Sequence, residues 1–363
     1  MSDMTAPILI MAGGTGGHVF PALAVARELR GRDEEVVWLG TKRGFEAGIV
    51  PQEGFPFEST RVSGLRRKGL MSWLLAPLKL SVAVFDALAV LIRRQPKVVL
   101  GMGGFASGPG GFAAWLLRKP LIIHEQNSVA GLTNRLLAGF ARDVLEAFPG
   151  SFSGKVKTRL VGNPVRPEIV ALAEPGQRFA GRQGPLRVLI LGGSQGALVL
   201  NQTVPRALAL LPADRCPDIW HQAGSASIDA ARAAYAEHRI AARLDPFIDD
   251  VAQAYGWADL VICRAGALTI SELAAAGLGA ILVPYPSAVD DHQTRNAEFL
   301  VAAGAAVLMP QGDLTPESLA QEIDRWVGNR DILADRAARA RSVARPDATR
   351  EVAEICLAAV HDS

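Results

Sequence analysis

Short apolar segments alternate with helix-length segments along the whole of this sequence. Each apolar segment is rich in Val, Ile and Leu and is bounded by Gly or polar residues. Such alternation is typical of a parallel β-sheet whose strands are joined by crossover helices. The segments predicted as strands are residues 7–14, 35–40, 97–104, 120–125, 187–193, 217–222, 259–266 and 280–286.

The strand-and-helix pattern occurs twice, and a segment of different composition separates the two occurrences. Residues 163–185 are rich in Pro, Gly and charged residues, which is typical of a linker. A chain of 363 residues is also too long for one ordinary hydrophobic core. We therefore predict an α/β protein of two Rossmann-like lobes, with parallel sheets that flank a ligand-binding cleft.

The composition excludes several classes of protein. Apolar residues make up 49% of the chain and charged residues 20%, which is typical of a globular protein. A net charge of +2 is too small to indicate nucleic-acid binding. The three cysteines are far apart and odd in number, which argues against a disulfide framework and a zinc site and favours a reducing cytoplasm. We expect no signal peptide, because the first residues lack a basic segment.

Residues 70–92 could be mistaken for a membrane span. Pro77, Lys79 and Asp86 interrupt this segment. It therefore lacks the run of about 18 uncharged apolar residues that a spanning helix requires. We expect the chain not to cross a bilayer.

Three glycine-rich turns follow predicted strands and precede predicted helices, at residues 12–21, 101–111 and 191–197. The backbone N–H groups of such turns can approach an anion closely, and the following helix N-terminus adds positive potential. Alternatively, the glycines serve only the tight turns; three such turns in one cleft favour phosphate binding. The chain has no GxxxxGK motif of a P-loop NTPase and no strict GxGxxG of a nicotinamide site.

A fourth turn, at Gly266, precedes a predicted helix that begins near residue 267. The positive end of that helix dipole is expected to face the cleft. Glu272 has two interpretations here. It has the spacing of a capping box with Thr269, and it could instead accept hydrogen bonds from the ribose hydroxyls of a nucleotide sugar. The spacing leaves both interpretations open.

Segments in all parts of the sequence resemble the MurG family of N-acetylglucosaminyltransferases, and the match covers nearly the whole chain. These segments are AGGTGGHVFP (12–21), GMGGFASGPGG (101–111), HEQN (124–127), GNPVR (162–166), LGGSQGA (191–197), FIDD (247–250), RAGALTISE (264–272) and DDHQTRNA (290–297). The resemblance implies the GT-B fold. It also implies an acceptor- and membrane-binding N-terminal lobe of residues 1–163, joined by a final helix at about 343–363, and a C-terminal lobe of residues 164–342 that binds UDP-N-acetylglucosamine.

The resemblance further implies an inverting hexosyltransferase. It would move N-acetylglucosamine from UDP to the 4-hydroxyl of the muramyl-(pentapeptide)-pyrophosphoryl-undecaprenol lipid of peptidoglycan synthesis. The implied location is the cytoplasmic face of the bacterial inner membrane, as a peripheral protein. Cell-wall synthesis and division proteins are possible partners. Two rival functions stay open on the same fold: a nucleotide-sugar epimerase and a non-catalytic sensor of sugar nucleotides.

The family's donor contacts can be carried over residue by residue. They fall on Thr15, Gly16, Gly17, Asn127, Arg166, Ser194, Ile248, Ala267, Leu268, Thr269, Ile270, Ser271, Glu272 and Gln293. Arg166 could otherwise be a linker charge, and Gln293 a surface helix residue. Relatives often carry a tyrosine where this chain has Phe105, so only ring packing is carried over at that position.

His18 is the predicted general base, because it follows the first glycine loop and because histidine as a residue type is suited to proton transfer near neutral pH. It could instead orient the acceptor's phosphate or cap the helix; Glu125 and His124 are the reserve candidates. The glycine loops predicted to hold the acceptor's diphosphate contain Gly13, Gly14, Gly103, Gly104 and Ser107. No carboxylate pair suits a bridging metal, since Asp290 and Asp291 are adjacent. We predict no cofactor, although a divalent cation stays open.

A water-soluble enzyme that acts on a lipid must dock on the membrane. Residues 66–80 combine apolar and basic side chains, which suits an anionic membrane surface. The residues predicted to dock are Arg66, Arg67, Lys68, Leu74, Leu75, Leu78 and Lys79. Residues 81–92 are predicted as a core helix. The alternative is that the whole segment is a core helix with a basic approach.

Overall fold

The computed structural model describes residues 6–61, 76–154, 156–193, 196–286 and 291–361. The chain divides into two compact units. The first comprises Met1–Arg166 and Arg345–Ser363, and the second comprises Pro167–Ala344. Each unit contains a β-sheet of its own.

The first unit is built on a parallel sheet that has seven strands among the described residues. The strands are β1 (Ile8–Met11), β2 (Val36–Thr41), β3 (Phe57–Thr60), β4 (Val98–Gly101), β5 (Leu121–Glu125), β6 (Asp143–Glu146) and β7 (Arg159–Leu160), in the spatial order β3-β2-β1-β4-β5-β6-β7. The helices between them are α1 (Gly16–Arg30), α2 (Glu46–Gln52), α3 (Ala76–Arg94), α4 (Ser107–Leu116) and α5 (Leu132–Leu137).

The strand β1 shows why this sheet is covered on both faces. All of its residues are fully buried, although successive side chains of a strand point to opposite faces. Ile8 and Ile10 pack in one hydrophobic cluster with α1, and Leu9 and Met11 pack in another with α3 and α4. A continuous apolar strand is therefore the pattern of a parallel sheet between two helical layers.

The second unit repeats this plan with six strands among its described residues. Its helices are α6 (Pro167–Val170), α7 (Pro175–Phe179), α8 (Leu198–Leu208), α9 (Ile228–Glu237), α10 (Val251–Trp257), α11 (Ala267–Ala276), α12 (His292–Ala302), α13 (Pro316–Val327) and α14 (Arg330–Ser342), with one 3-10 turn at Ala213–Arg215. Its strands are β8 (Arg187–Leu191), β9 (Asp218–Gln222), β10 (Arg243–Asp245), β11 (Leu260–Cys263), β12 (Gly279–Leu282) and β13 (Ala306–Leu308), in the spatial order β10-β9-β8-β11-β12-β13.

The last helix, α15 (Ala348–His361), follows the second unit in the chain but packs in the first. Val352, Ala353 and Cys356 are fully buried in the same cluster as Ile8 and Ile10 of β1. Gly162 makes room for the segment before this helix, because a Cβ at that position would lie 2.4 Å from the Cβ of Arg345. The core of the first unit is therefore shared between the two ends of the sequence.

The predicted α/β class with parallel sheets is confirmed. Each predicted strand segment overlaps an observed strand, and β2 and β12 each extend one residue beyond the predicted segment. The sequence analysis missed the peripheral strands β3, β6, β7, β10 and β13. Strands such as β7 and β10 are only two or three residues long and carry charged residues, so they produce little apolar signal.

The helix α3 has one buried face and one exposed face. Ala83, Ala87 and Leu91 are fully buried at a spacing of four residues, as predicted for the core part of this segment. Phe85 is 70% exposed on the other side of the helix. Within the described ranges, none of the helices combines the length and the hydrophobicity that crossing a membrane requires.

Because α15 completes the core of the first unit, a large polar side chain should destabilise the protein at a buried position of this helix but not at an exposed one. Ala353→Gln would force a large amide into a fully buried site, with an expected cost of about 1–3 kcal/mol or more. Ala358→Gln on the exposed face of the same helix is the matched control, and we expect a change within about 0.5 kcal/mol. Denaturant unfolding measures both. Equal stability of the two variants would contradict the packing of α15 on β1.

Two buried histidines predict sensitivity to acid. Burial lowers the pKa of His124 on β5 to about 4 and that of His221 on β9 to about 3. In the unfolded chain each titrates near about 6.5, so unfolding takes up protons below that pH. The stabilisation is therefore full above about pH 6.5 and is lost as the pH falls towards the folded-state values. For each histidine, the free energy of unfolding should fall by about 2 kcal/mol between about pH 7.5 and about pH 5.

The acid prediction is tested by denaturant unfolding across this pH range. His221→Gln removes one titrating group, so its free energy of unfolding should fall less steeply with pH than that of the wild type. This slope is independent of any loss of stability at neutral pH. An unchanged slope in the variant would contradict the neutral, buried state of His221.

Candidate active site

The first glycine loop joins β1 to α1 and is held by a buried carboxylate. Glu46 is fully buried, and its Oε2 accepts a hydrogen bond of 3.0 Å from the N–H of Gly14. Its Oε1 accepts from the N–H of Thr41 at 2.8 Å and from the hydroxyl of Thr41 at 2.7 Å. A Cβ at Gly13 would lie 2.5 Å from Oε1, so only glycine allows this approach. Glu46 therefore ties the glycine loop to the end of β2.

The second glycine loop follows β4 and lies directly against the first. Gly103 and Gly104 have φ values of +89° and +88°, in the left-handed region that favours glycine. A Cβ at Gly104 would lie 2.3 Å from the carbonyl oxygen of Gly13. The fully buried hydroxyl of Ser107 is 2.7 Å from the carbonyl oxygen of Gly103 and 3.0 Å from that of Met11. These contacts favour a role for the Ser107 hydroxyl in shaping the loops.

His18 lies in the first turn of α1 beside the second glycine loop. Its ring packs so closely on Gly103 that a Cβ there would lie 2.7 Å from Nδ1. The same Nδ1 is 2.8 Å from Oε1 of Gln126, which follows β5. The side chain of His18 is half-buried. The structure therefore brings the predicted base to the carboxyl ends of β1, β4 and β5, which are neighbours in the sheet.

The reserve candidates Glu125 and His124 are in different surroundings. Glu125 is 2% exposed and accepts four hydrogen bonds from nitrogen donors. These come from the N–H of Asn127, the side chain of Asn127, the N–H of Gly131 and the side chain of Asn134. His124 is fully buried, and burial lowers its pKa to about 4. Both environments favour a role in organising the loop over proton transfer at neutral pH.

The remaining predicted residues of the first unit lie near the same strand ends. Thr15 is the exposed N-cap of α1, and Gly16 and Gly17 begin the helix. Asn127 is half-buried beside Glu125. The guanidinium of Arg166 lies 5.6 Å from the ring centre of Phe20, which is part of α1. Phe105 is 49% exposed on the second glycine loop.

In the second unit, Gln222 at the end of β9 connects two predicted donor-binding segments. Its Nε2 donates to the carbonyl oxygen of Gly193 at 2.9 Å, and its Oε1 accepts from the N–H of Ile248 at 3.2 Å. Gln222 is 5% exposed. Gly196, in the same loop as Gly193, approaches β9 so closely that a Cβ would lie 2.1 Å from the carbonyl oxygen of Ala223. The loop after β8 is thereby fixed to its neighbour.

The helix α11 begins at Ala267, and its N-cap residue Gly266 has no side chain that could cap the helix. Thr269 lies inside the helix, so the capping-box interpretation of Thr269 and Glu272 is wrong. Glu272 is 4% exposed and accepts a hydrogen bond of 3.1 Å from the hydroxyl of Tyr255. The ribose-binding interpretation of Glu272 stays a prediction.

The other donor-site candidates divide between core and surface. Ala267 and Ile270 are buried, whereas Leu268, Thr269 and Ser271 are half-buried. The Oε1 of Gln293 on α12 accepts a hydrogen bond of 2.9 Å from the N–H of Tyr285. Gln293 therefore positions the backbone that follows β12.

Several predicted residues lie outside the described part of the chain. They are Ser194 of the donor loop, Asp290, and the docking residues Arg66, Arg67, Lys68, Leu74 and Leu75. The docking residues Leu78 and Lys79 are described, and both are exposed on the first turn of α3.

The sequence analysis missed three residues that hold these loops: Glu46, Gln126 and Gln222. Each is buried and pairs with groups far away in the sequence. The sequence contained only a weak signal for these residues. Gln126 and Gln222 each stand at or just after the end of a predicted apolar strand, where a polar side chain is a candidate for positioning a loop.

Comparisons with known proteins agree with this geometry. The model of the glycosyltransferase family 28 N-terminal domain matches residues 8–146, and that of the C-terminal domain matches residues 187–352. A relative from Marinobacter nauticus is 57% identical over 97% of this chain and 97% of its own length. One from Nitrosococcus oceani is 56% identical over 98% of this chain and 99% of its own length. Both are named UDP-N-acetylglucosamine–N-acetylmuramyl-(pentapeptide) pyrophosphoryl-undecaprenol N-acetylglucosamine transferase.

Solved structures agree as well. The crystal structure of Acinetobacter baumannii MurG is 40% identical, has a TM-score of 0.85, and is matched over 98% of this chain and 100% of its own. A UDP-N-acetylglucosamine 2-epimerase matches at 13% identity with a TM-score of 0.66, over 99% of this chain and 98% of its own, which shows a shared fold alone. The predicted GT-B fold and the predicted glycosyltransferase class are confirmed. The chain therefore belongs to glycosyltransferase family 28 and, within it, to the MurG family that its sequence segments resemble.

Proposed function

We propose that this glycosyltransferase moves N-acetylglucosamine from UDP-N-acetylglucosamine to the muramyl-(pentapeptide)-pyrophosphoryl-undecaprenol lipid. The product is the lipid-linked disaccharide used to build peptidoglycan. The observation that carries the proposal is that relatives with this transferase name share 54% to 57% identity with nearly the whole chain. The acceptor binds the first unit and the donor binds the second.

The first unit supplies the base and the anion-binding loops. His18 removes the proton from the acceptor's 4-hydroxyl as that oxygen attacks the anomeric carbon of N-acetylglucosamine. The glycine loops around Gly14 and Gly103 offer backbone N–H groups to the acceptor's diphosphate. Glu46 supports this role, because its carboxylate fixes the first loop before any ligand binds.

The second unit holds the departing UDP. The N-terminus of α11 has no side-chain cap, and its N–H groups and helix dipole stabilise the negative charge that develops on the diphosphate. The loop after β8 adds further N–H groups, held in place by Gln222. Glu272 accepts hydrogen bonds from the ribose hydroxyls.

An epimerase or a sensor would use the same fold, so the proposal needs a test of transfer. The protein is incubated with UDP-N-acetylglucosamine, labelled in the sugar, and membrane vesicles that contain the lipid acceptor. We expect label to move into the lipid fraction. An epimerase would change the soluble sugar nucleotide instead, and a sensor would change neither; either result would overturn the proposal.

The ribose role predicts that Glu272→Gln lowers kcat/KM for UDP-N-acetylglucosamine about tenfold or more, since a hydrogen bond to a charged group contributes roughly 1.5–3 kcal/mol. The melting temperature should change little, because glutamine can still accept from the hydroxyl of Tyr255. Tyr255→Phe is the control, which removes that hydroxyl and keeps the carboxylate. Unchanged kinetics of Glu272→Gln would leave Glu272 with a structural role only.

We also propose that the first unit docks on an anionic membrane as a peripheral protein. Leu78 and Phe85 of α3 are 64% and 70% exposed and lie seven residues apart, on one face of the helix. The helix α4 packs against α3 and carries two more partly exposed rings, Phe112 and Trp115. Trp115 packs on Phe140, with 4.9 Å between ring centres. Basic side chains such as Lys79 flank this apolar surface.

Cell-wall synthesis and division proteins stay predicted partners.

The docking surface predicts a loss confined to membrane substrates. Leu78→Glu with Phe85→Glu removes apolar area worth at most about 1.5–3 kcal/mol per residue and adds charge that anionic lipid repels. Binding to anionic phospholipid vesicles and transfer to the membrane acceptor should fall together. Transfer to a short-chain, water-soluble acceptor should persist, because the glycine loops are unchanged.

The control for docking is Leu210→Glu, a similarly exposed leucine of the second unit, which should bind vesicles like the wild type. High salt should weaken wild-type docking only in part, because it screens the basic residues but not the apolar ones. Equal loss on the soluble and the membrane acceptor, with a lower melting temperature, would support the core-helix alternative instead.

A further inference from the structure

A row of hydrogen-bonding groups in the first unit ends at His18. The row begins at the carbonyl oxygen of Gly162, which is 2.9 Å from Nε2 of His124. Nδ1 of His124 is 3.2 Å from Nε2 of Gln126. Oε1 of Gln126 is 2.8 Å from Nδ1 of His18. Both His124 and Gln126 are buried, at 0% and 1% exposure.

The donor and acceptor at each contact follow from chemistry. A carbonyl oxygen can only accept, so Nε2 of His124 carries the proton towards Gly162. Burial lowers the pKa of His124 to about 4, so at neutral pH this ring holds one proton and its Nδ1 is an acceptor. The Nε2 of Gln126 donates to that nitrogen.

The orientation of the Gln126 amide has a second, independent support. Its Nε2 is also 3.0 Å from the carbonyl oxygen of Met102, which can only accept. Exchanging Nε2 and Oε1 would place an oxygen against the carbonyl of Met102 and an NH2 group against His18. The Oε1 of Gln126 therefore faces His18, and only an N–H at Nδ1 can donate to it.

We infer that Gln126, oriented by His124 and Met102, is a positioning residue that keeps the proton of neutral His18 on Nδ1 and so leaves Nε2 as the nitrogen that accepts the proton of the acceptor's 4-hydroxyl. This inference rests on the proposed role of His18 as the base. Within the described residues, Nε2 of His18 has no hydrogen-bond partner. When Nε2 takes up the proton, Nδ1 still donates to Gln126, so the ring need not turn during the reaction.

The ring of His18 is also held in place by its neighbours. Gly103 lies against it, and a Cβ at that position would be 2.7 Å from Nδ1 and 2.9 Å from Cε1. The partner of Nδ1 is the neutral amide of Gln126, so the ring of His18 is oriented by a hydrogen bond to an uncharged group. The nearest carboxylate of the same loop, Glu125, is occupied by four nitrogen donors.

The tautomer of His18 can be measured directly. Long-range ¹H–¹⁵N spectra of the protein labelled at its 6 histidines distinguish protonated from unprotonated ring nitrogens. The resonances of His18 are assigned by their loss in His18→Gln. We expect the proton on Nδ1 in the wild type at neutral pH. A proton on Nε2 would overturn the inference, and this measurement needs neither a substitution at Gln126 nor enzymatic activity.

Gln126→Met tests the consequence for the reaction. Methionine has a similar size, but its thioether is a much weaker acceptor than an amide oxygen, so the preference of His18 for the Nδ1 proton should fall. We expect kcat to fall by about tenfold or more, part of the roughly 10²–10⁴ that a general base contributes, with the KM for UDP-N-acetylglucosamine little changed. In Gln126→Glu one carboxyl oxygen can still accept from Nδ1, and in the protonated form the other can donate to the carbonyl oxygen of Met102, so this variant should retain both the tautomer and more of the kcat.

The outcomes separate this inference from the proposed function. If Gln126→Met changes the tautomer but keeps the wild-type kcat, the positioning role is overturned. If Gln126→Glu loses as much kcat as Gln126→Met while it retains the tautomer, the role is likewise overturned. A wild-type protein with the expected tautomer but no transfer of sugar to lipid would instead overturn the proposed function and leave the hydrogen-bonded row intact.

Discussion

The contact between two backbones, at Gly13 and Gly104, is the constraint on which the first unit depends. The loops after β1 and β4 meet because these strands are parallel neighbours and end at the same edge of the sheet. A side chain at Gly104 would collide with the carbonyl of Gly13, so the two glycine loops can meet at this edge only because neither has a side chain there. The position of His18 follows from the same contact, since its ring lies on Gly103.

Bare backbone loops need support, and buried side chains provide it. Glu46 accepts from the first loop, Glu125 accepts from the loop after β5, and Gln222 bonds to two loops in the second unit. A buried polar group left without a partner costs about 1–3 kcal/mol, so each of these side chains strongly favours a single loop conformation. These described loops at the carboxyl ends of the strands are therefore held in one conformation by the protein itself, which is the kind of preorganisation that electrostatic catalysis requires.

The sequence predicted the parts of the structure that depend on local pattern. The continuous apolar run of β1 and the glycines around residues 12–17 indicated a buried parallel strand and a tight turn into a helix, and both lie where expected. Phosphate binding by that turn stays a prediction. Short strands such as β10 were missed, because a strand of three residues, two of them charged, shows no recognisable apolar pattern. Gln126 was missed for a different reason: its partner His18 is 108 residues away, and no local pattern encodes that pairing. Of the two interpretations of Glu272, the capping box with Thr269 was wrong because the helix begins three residues earlier, after the N-cap Gly266.

The return of α15 to the first unit has a consequence for synthesis of the protein. A ribosome delivers residues 1–166, then the whole second unit, and only then the helix that covers Ile8 and Ile10. Until that helix emerges, the cluster of Ile8, Ile10 and α1 lacks the buried side chains of α15, although all seven described strands of the sheet are already made. The second unit can therefore complete its core before the first unit does. A chain that lacks residues 348–361 would therefore have a complete second unit and an incomplete first one.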